Sequence, residues 1–318
     1  MVACRMEKTF EEHQPVLLEE VINHLTIKMD GIYIDATFGR GGHSQSILKH
    51  LGPSGHLFAF DQDPEAVAYA EKTFADDRRF KIFHAAFSKL QALLTAEGFA
   101  GKIDGILFDL GVSSPQLDNP NRGFSFMRTG NLDMRMDTSQ GEDAKEWLSK
   151  IPEKELADVL WSLGEERFSR RIAHAIVEAR EEAPITTTKQ LADIIAKAVP
   201  TREKGKNPAT RSFQAIRIAV NRELDELDQG LQQAFEVLKV GGRLLVISFH
   251  SLEDRLVKHF IQRKERSGEI PARMPIKQKD LDPPLLKRVG RAIKPSEKEI
   301  AKNPRARSAV LRIAEKQP

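Results

Sequence analysis

Cysteine is almost absent from these 318 residues, with Cys4 the single example. That excludes an internal disulfide and any cysteine-based zinc cluster, and it fits a reducing compartment. No run of about 18 apolar residues is present, and the amino terminus lacks the basic-then-apolar order of a secretory signal. The nine histidines show no paired helical spacing with a glutamate, so zinc chemistry finds no support in the pattern. Internal repeats and low-complexity blocks are missing too. These absences predict a cytoplasmic globular protein with no membrane segment and no required metal, and 40% hydrophobic residues suffice for a real core.

Charge is present but unevenly spread. The formal net charge is only +3, yet residues 255–318 hold 18 Lys and Arg against 7 Asp and Glu. A basic carboxy-terminal region of this kind has two readings, phosphate binding or a solvated tail. At the other end, Met1–Gln14 reads as a loose polar arm.

The first third alternates short apolar runs with amphipathic stretches, the pattern of βα units that feed a parallel sheet. Strands are expected over Gly31–Thr37, His56–Phe60, Phe80–His84 and Ile103–Leu110, with helices over His43–Leu51, Pro64–Phe74 and Ser88–Leu94. After Leu110 the alternation stops in a polar loop that runs to about Gly141. Helical spacing then dominates Lys145–Ser162, Glu165–Glu182 and Lys189–Ala198. A polar break at Thr201–Thr210 precedes a long helical pattern over Phe213–Leu238, stopped by Gly241-Gly242. Arg243–Phe249 and Ser308–Ala314 restore the strand pattern.

Chemistry concentrates at the ends of the strands. Asp35-Ala-Thr-Phe-Gly-Arg-Gly-Gly-His43 places a glycine turn directly after the first strand, where backbone can approach a nucleotide-type cofactor closely. A strand-to-helix turn also uses glycine for geometry alone. Asp61, which ends the second strand, adds an acid able to accept both ribose hydroxyls of an adenosine. NAD and S-adenosylmethionine both carry that ribose, but the dinucleotide fingerprint wants Gly or Ala where this chain has Ser44. The fourth strand ends in Asp109-Leu-Gly-Val-Ser-Ser-Pro-Gln116, which brings an acid, two hydroxyls, a stiffened turn and an amide to the same edge. An aromatic amine is a poor nucleophile because its lone pair is delocalised, and oxygen acceptors around it favour the pyramidal nitrogen that attacks. A Pro- and Ser-containing turn with no chemical role is the plain alternative.

These strings resemble the bacterial small-subunit ribosomal RNA (cytosine-N(4))-methyltransferases, the RsmH or MraW family. The likeness spans nearly the whole chain. It includes Phe38-Gly-Arg-Gly-Gly-His-Ser44, Asp61-Gln-Asp63, Phe87, the Asp109–Gln116 string and Arg122-Gly-Phe-Ser-Phe126. It continues through Leu132-Asp-Met-Arg-Met-Asp137, Gly164-Glu-Glu-Arg-Phe168, Ser248-Phe-His-Ser-Leu-Glu-Asp-Arg255 and Asn303-Pro-Arg-Ala-Arg307. The resemblance implies S-adenosylmethionine as cofactor and a decoding-centre cytidine of 16S rRNA, within the small ribosomal subunit, as target. It further implies that Gly41, Gly42 and His43 line the methionine side and that Asp61 holds the ribose. Phe87 would lie by the adenine, and Asp109 and Gln116 would complete the pocket.

General amino-methyltransferases carry Pro-Pro-aromatic after the catalytic polar residue. Here Ser114-Pro115 fits, with Ser114 the candidate catalytic acceptor, but Gln116 and Leu117 replace the second proline and the aromatic. Phe124 and Phe126 are then candidates to stack on the base, with burial in the insertion's own core the other reading. His250 with Glu253 and Asp254 either reaches the site or caps the following helix. Arg128, Arg135 and Lys145 either contact RNA phosphates or are solvated.

The expected fold is α/β: a doubly wound, Rossmann-like class I methyltransferase fold with an inserted all-helical domain. Residues 1–114 and 213–318 would build the methyltransferase domain, and 115–212 the substrate-recognition domain. Competing functions are a DNA amine methyltransferase, a non-catalytic RNA-binding ribosome-assembly factor and, least supported, an NAD oxidoreductase.

Overall fold

The inner strands of the first third are continuous apolar runs because both faces of the sheet are covered there, while the edge strand Phe80–His84 alternates. The computed structural model describes residues 15–201, 207–266 and 283–318; the arm expected over Met1–Gln14 and most of the polar break after Thr201 lie outside the described residues. The chain proceeds through α1 (Leu18–Leu25), β1 (Ile32–Asp35), α2 (Gly42–His50), β2 (His56–Asp61), α3 (Pro64–Thr73), β3 (Phe80–His84), α4 (Leu90–Ala96) and β4 (Ile103–Asp109). Local chemistry sets these boundaries. Asp63 caps α3 by accepting the Glu65 N–H at 3.0 Å, and Pro64 supplies a first helical residue that needs no N–H partner.

The middle of the chain is helical: α5 (Ser114–Asp118), α6 (Ala144–Lys150), α7 (Glu153–Gly164), α8 (Ser169–Glu182), α9 (Thr188–Ala198), α10 (Thr210–Asn221) and α11 (Glu223–Val237). Two expected helices are each split. Ile151-Pro152 divides Lys145–Ser162 into α6 and α7, since proline disfavours helical backbone in the residue before it. Arg222, with φ of 50°, divides Phe213–Leu238 into α10 and α11. The sheet then resumes with β5 (Leu238–Ser248), α12 (Ser251–Glu265), β6 (Leu286–Arg288), α13 (Glu297–Lys302) and β7 (Val310–Lys316).

The seven strands lie in the order β3-β2-β1-β4-β5-β7-β6. The first five are parallel, and β7 runs antiparallel to both β5 and β6. Strand order reverses between β1 and β4, which makes their carboxyl ends the switch point where doubly wound sheets bind ligands. Alternate residues feed two cores. Ile34, Phe108 and Val246 pack under α4, α11 and α12. Tyr33, Leu107 and Leu245 pack under α1 and α2.

A separate hydrophobic core holds the helical region together, from Phe124 and Leu132 through Leu160, Ile172 and Ile195. Phe213, Ala215 and Ile216 of α10 belong to this core, so the boundary expected between 212 and 213 falls inside it. Helical periodicity continues smoothly through Thr210–Asn221, and only Arg222 turns the chain back to the sheet.

Candidate functional site

The carboxyl ends of β1 and β4 are held together by polar contacts around two acids. Asp35, fully buried at the end of β1, accepts the Ser44 hydroxyl at 2.7 Å and the Thr37 N–H at 3.2 Å. Burial raises its pKa against those bonds. Across the switch point the Asp109 N–H donates to the Thr37 hydroxyl at 2.6 Å. His43, in the first turn of α2 and only 5% exposed, brings Nε2 to 3.5 Å from Asp109 Oδ2. Among the described residues neither ring nitrogen of His43 has a hydrogen-bond partner, and Asp109 Oδ1 has none either. Buried polar atoms without partners cost about 1–3 kcal/mol each, so a cluster of three at a switch point is the signature of a polar ligand end.

The glycines of this turn separate into two kinds. Gly41 has φ of +73°, and a Cβ there would lie 2.7 Å from the Phe38 ring; at Gly42 it would lie 2.3 Å from Pro15. Both positions are glycine because the protein's own side chains fill the space. Gly39, also left-handed at φ of +56°, would point a Cβ into a gap whose nearest neighbour is Ser113 Cβ at 3.9 Å. The open cradle is therefore at Gly39, which the sequence reading passed over in favour of its neighbours. A left-handed, unobstructed glycine facing a serine from another strand's turn is a contact no sequence spacing reveals.

Asp61 ends β2 beside this cradle. Its Oδ2 accepts the Gly39 N–H at 2.7 Å and its Oδ1 the Asp63 N–H at 2.8 Å. Burial pushes its pKa up to about 6, while those two amides pull it down. Each carboxylate oxygen has a second lone pair, so both remain able to accept a hydroxyl.

The turn after β4 is closed rather than open. The Gln116 side chain accepts the Ser113 N–H at 2.8 Å through its carbonyl and donates to Asp63 Oδ2 at 2.8 Å through its amide. Arg122 joins the same carboxylate at 2.7 Å and spends its other terminal nitrogen on the Arg135 and Met136 carbonyls. Both Arg122 and Asp63 are buried. Gln116 is thus a brace between the β4 turn, the cap of α3 and the inserted segment. Ser114 begins α5, directly after Ser113. Phe87 follows β3 and packs edge-on against Phe108 at 5.3 Å, over Gly230 of α11.

The remaining candidates have the following surroundings. Phe124 is buried in the helical core, and Phe126 packs edge-on against Phe213 at 4.8 Å. His250 caps α12, with Nδ1 accepting the Glu253 N–H at 3.4 Å. His250, Glu253 and Glu223 bring potential ligand atoms within 4.8 Å of one another. Both oxygens of Glu223 are occupied by Arg217 at 2.8 Å, and an accepting Nδ1 keeps the hydrogen on Nε2, which opposes metal ligation there. Arg135 is paired with Asp133 and Lys145 with Asp143, and Arg128 reaches only the Asp118 carbonyl at 3.4 Å.

The sequence profile of the MraW methylase family matches residues 10–317. A protein of Pseudoalteromonas atlantica called ribosomal RNA small subunit methyltransferase H is 57% identical, over 97% of this chain and 99% of its own length. Proteins of the same name from Coxiella burnetii and Alteromonas mediterranea are each 57% identical over 96% of this chain, and the match covers 99% and 97% of their lengths. A doubly wound sheet with a glycine turn, two strand-end acids and unpartnered polar atoms at the switch point accords with that match, and the chain belongs to the MraW methylase family.

Proposed function

We propose that this protein transfers a methyl group from S-adenosylmethionine to the exocyclic N4 amine of a decoding-centre cytidine in 16S rRNA, presented in the small ribosomal subunit. The observation that carries the reading is the set of unpartnered, buried atoms on His43 and Asp109 beside the open Gly39 turn. Their mixture of donors and one carboxylate suits the amino acid end of the cofactor, and Asp35 adds a second buried acid nearby. Asp61 accepts the ribose hydroxyls. Gly41 and Gly42 shape the turn that His43 projects from, Phe87 borders the adenine, and Gln116 fixes the wall of the pocket.

When bound, the cofactor supplies an electrophilic methyl on a sulfonium, so the protein's task is positioning. Ser114, at the start of α5, accepts a hydrogen from the cytosine amine, which turns the nitrogen lone pair out of conjugation and stabilises the charge that develops on it. A paired cytosine would hide that amine, so the target base is taken out of its helix. The helical region with its own core recognises RNA, while the sheet holds the cofactor. The test uses small subunits that lack endogenous methylation and labelled S-adenosylmethionine, followed by nucleoside mass spectrometry of the digested rRNA. N4-methylcytidine is expected; label in another nucleoside, or transfer to DNA in preference to subunits, overturns the reading.

A further inference from the structure

The basic carboxy-terminal region supplies a second feature that methyl transfer does not use. Asp254 on α12 and Arg312 on β7 join the helix to the antiparallel strands through two bonds of 2.7 and 2.9 Å. Lys258 is four residues further along α12, on the same face as Asp254. Arg288 on β6 is held by Glu265 at the end of the helix, at 2.9 Å. Between β6 and β7 the loop from Val289 to Ile293 is pinned to β7 at both ends. The Val289 N–H donates to the Ile313 carbonyl at 3.0 Å, and Ile293 exchanges two bonds of 2.9 Å with Leu311. The pinned loop bulges at Gly290, whose φ is +73° with no atom of the described residues within 4 Å of a Cβ placed there, and the next residue, Arg291, is exposed.

Lys258, Arg288, Arg291 and Arg312 consequently line one cleft with Gly290. Among the described residues two carboxylates, Asp254 and Glu265, pair with two of the four cations, Arg312 and Arg288. Lys258 and Arg291 are exposed and have no side-chain partner among the described residues. Their repulsion is relieved by an anion, and planar guanidinium groups match phosphate oxygens geometrically.

We propose that this cleft between α12 and the β6–β7 pair is a docking site for backbone phosphates of ribosomal RNA, away from the methyl-transfer site. The proposal rests on the reading that the substrate is an rRNA-containing subunit. Pinning at both loop ends fixes the backbone that carries Arg291, which limits the ordering cost of the contact to the side chains.

The test compares the full-length protein with a Lys258→Ala/Arg291→Ala double variant, which leaves the Arg312–Asp254 and Arg288–Glu265 pairs intact. Cosedimentation with small subunits is measured from about 50 to 200 mM KCl, alongside methyl-transfer kinetics and calorimetric cofactor binding. Loss of two phosphate contacts should weaken subunit binding and flatten the log–log salt dependence by about 1.5, at about 0.7–0.9 per phosphate. KM for subunits should rise while kcat and cofactor affinity stay at wild-type values. Replacing Lys258→Ala by Lys258→Arg in the double variant should restore the slope in part. An unchanged salt slope and unchanged subunit binding overturn the proposal. If the wild-type protein fails to methylate subunits at all, the functional reading falls, and the cosedimentation slope still decides whether the cleft binds RNA phosphate.

Discussion

Two turns meet at the same sheet edge and are built to opposite ends. Beside the turn between β1 and α2, His43 and the end of β4 at Asp109 keep buried polar atoms without hydrogen-bond partners among the described residues, and the turn holds a left-handed glycine beside open space. The turn after β4 is tied more fully, spending both ends of the Gln116 amide and both terminal nitrogens of Arg122 on protein partners and leaving only Nε of that guanidinium without one among the described residues. The contrast separates ligand-binding surface from scaffold by a physical criterion, the satisfaction of buried polar groups, rather than by nearness to the crevice. Breaking the closed turn should cost stability, and breaking the open one should cost affinity.

The largest effect is expected from Arg122→Ala. Asp63 would lose its buried guanidinium, and removing one partner of a buried pair costs about 3–5 kcal/mol because the other charge is stranded. Chemical denaturation measures this directly. A variant that stays as stable as the wild type while binding cofactor poorly would move Arg122 from scaffold to site and dissolve the comparison.

Asp61→Ala tests the open side. Losing hydrogen bonds to a charged acceptor should weaken S-adenosylmethionine binding by about 1.5–3 kcal/mol, with the fold retained. Calorimetry on the folded variant checks it, and an unchanged dissociation constant removes Asp61 from the ribose. Ser114→Ala should lower single-turnover rates about tenfold to a hundredfold, at 1.36 kcal/mol per decade, with cofactor affinity unaltered. Retention of the wild-type rate would transfer the catalytic role to another residue at this edge.

The titration of Asp61 sharpens the same division. Its folded pKa of about 6 lies above the ordinary 3.8, so protonation favours the folded state. Its contribution to stability therefore rises as pH falls through about 6 and is complete below about 4. Cofactor binding has the opposite sign, because the ionised carboxylate accepts the ribose hydroxyls. Affinity should fall by up to about tenfold per pH unit below 6, a loss that Asp61→Asn abolishes. Affinity that is flat between pH 5 and 7 in the wild type would contradict the assignment.

Legibility in the sequence followed burial. Strands β1, β2 and β4 are readable because parallel strands covered on both faces are unbroken apolar runs, with Asp61 and Asp109 at the ends of β2 and β4, whereas the edge strand β3 shows itself only by its Phe and Ile alternating with Lys81. The three residues of β6 carry too little pattern to be seen, and α1 was missed although its apolar residues are spaced helically. Arg222 is left-handed without being glycine, so the break between α10 and α11 had no local signal. At the site, the sequence located the turns but not their internal division. Gln116, which the family resemblance assigns to the cofactor, has its amide committed to Ser113 and Asp63. Nothing in the local sequence marks Gly39 apart from Gly41 and Gly42. Both facts depend on contacts between residues distant in sequence, which spacing cannot carry.

The smallest effect tests that division most narrowly. Gly39 and Gly41 are both left-handed, so alanine strains the backbone at either position by about 1–2 kcal/mol. The surroundings then diverge. At Gly41 the new methyl collides with Phe38, a core residue that also packs against Phe74 and Phe80, so Gly41→Ala should add an overpacking cost of about 1–3 kcal/mol to the strain. At Gly39 the methyl meets nothing closer than Ser113 at 3.9 Å, so the stability loss should stop at the strain. Cofactor affinity should show the converse pattern, because the space Gly39→Ala fills is the space left beside Asp61. Thermal unfolding and calorimetry on the two variants read both quantities. If Gly39→Ala binds S-adenosylmethionine as tightly as the wild type, the cradle is not where the cofactor lies, and the unpaired atoms of His43 and Asp109 must answer to a ligand that approaches from the other side of the crevice.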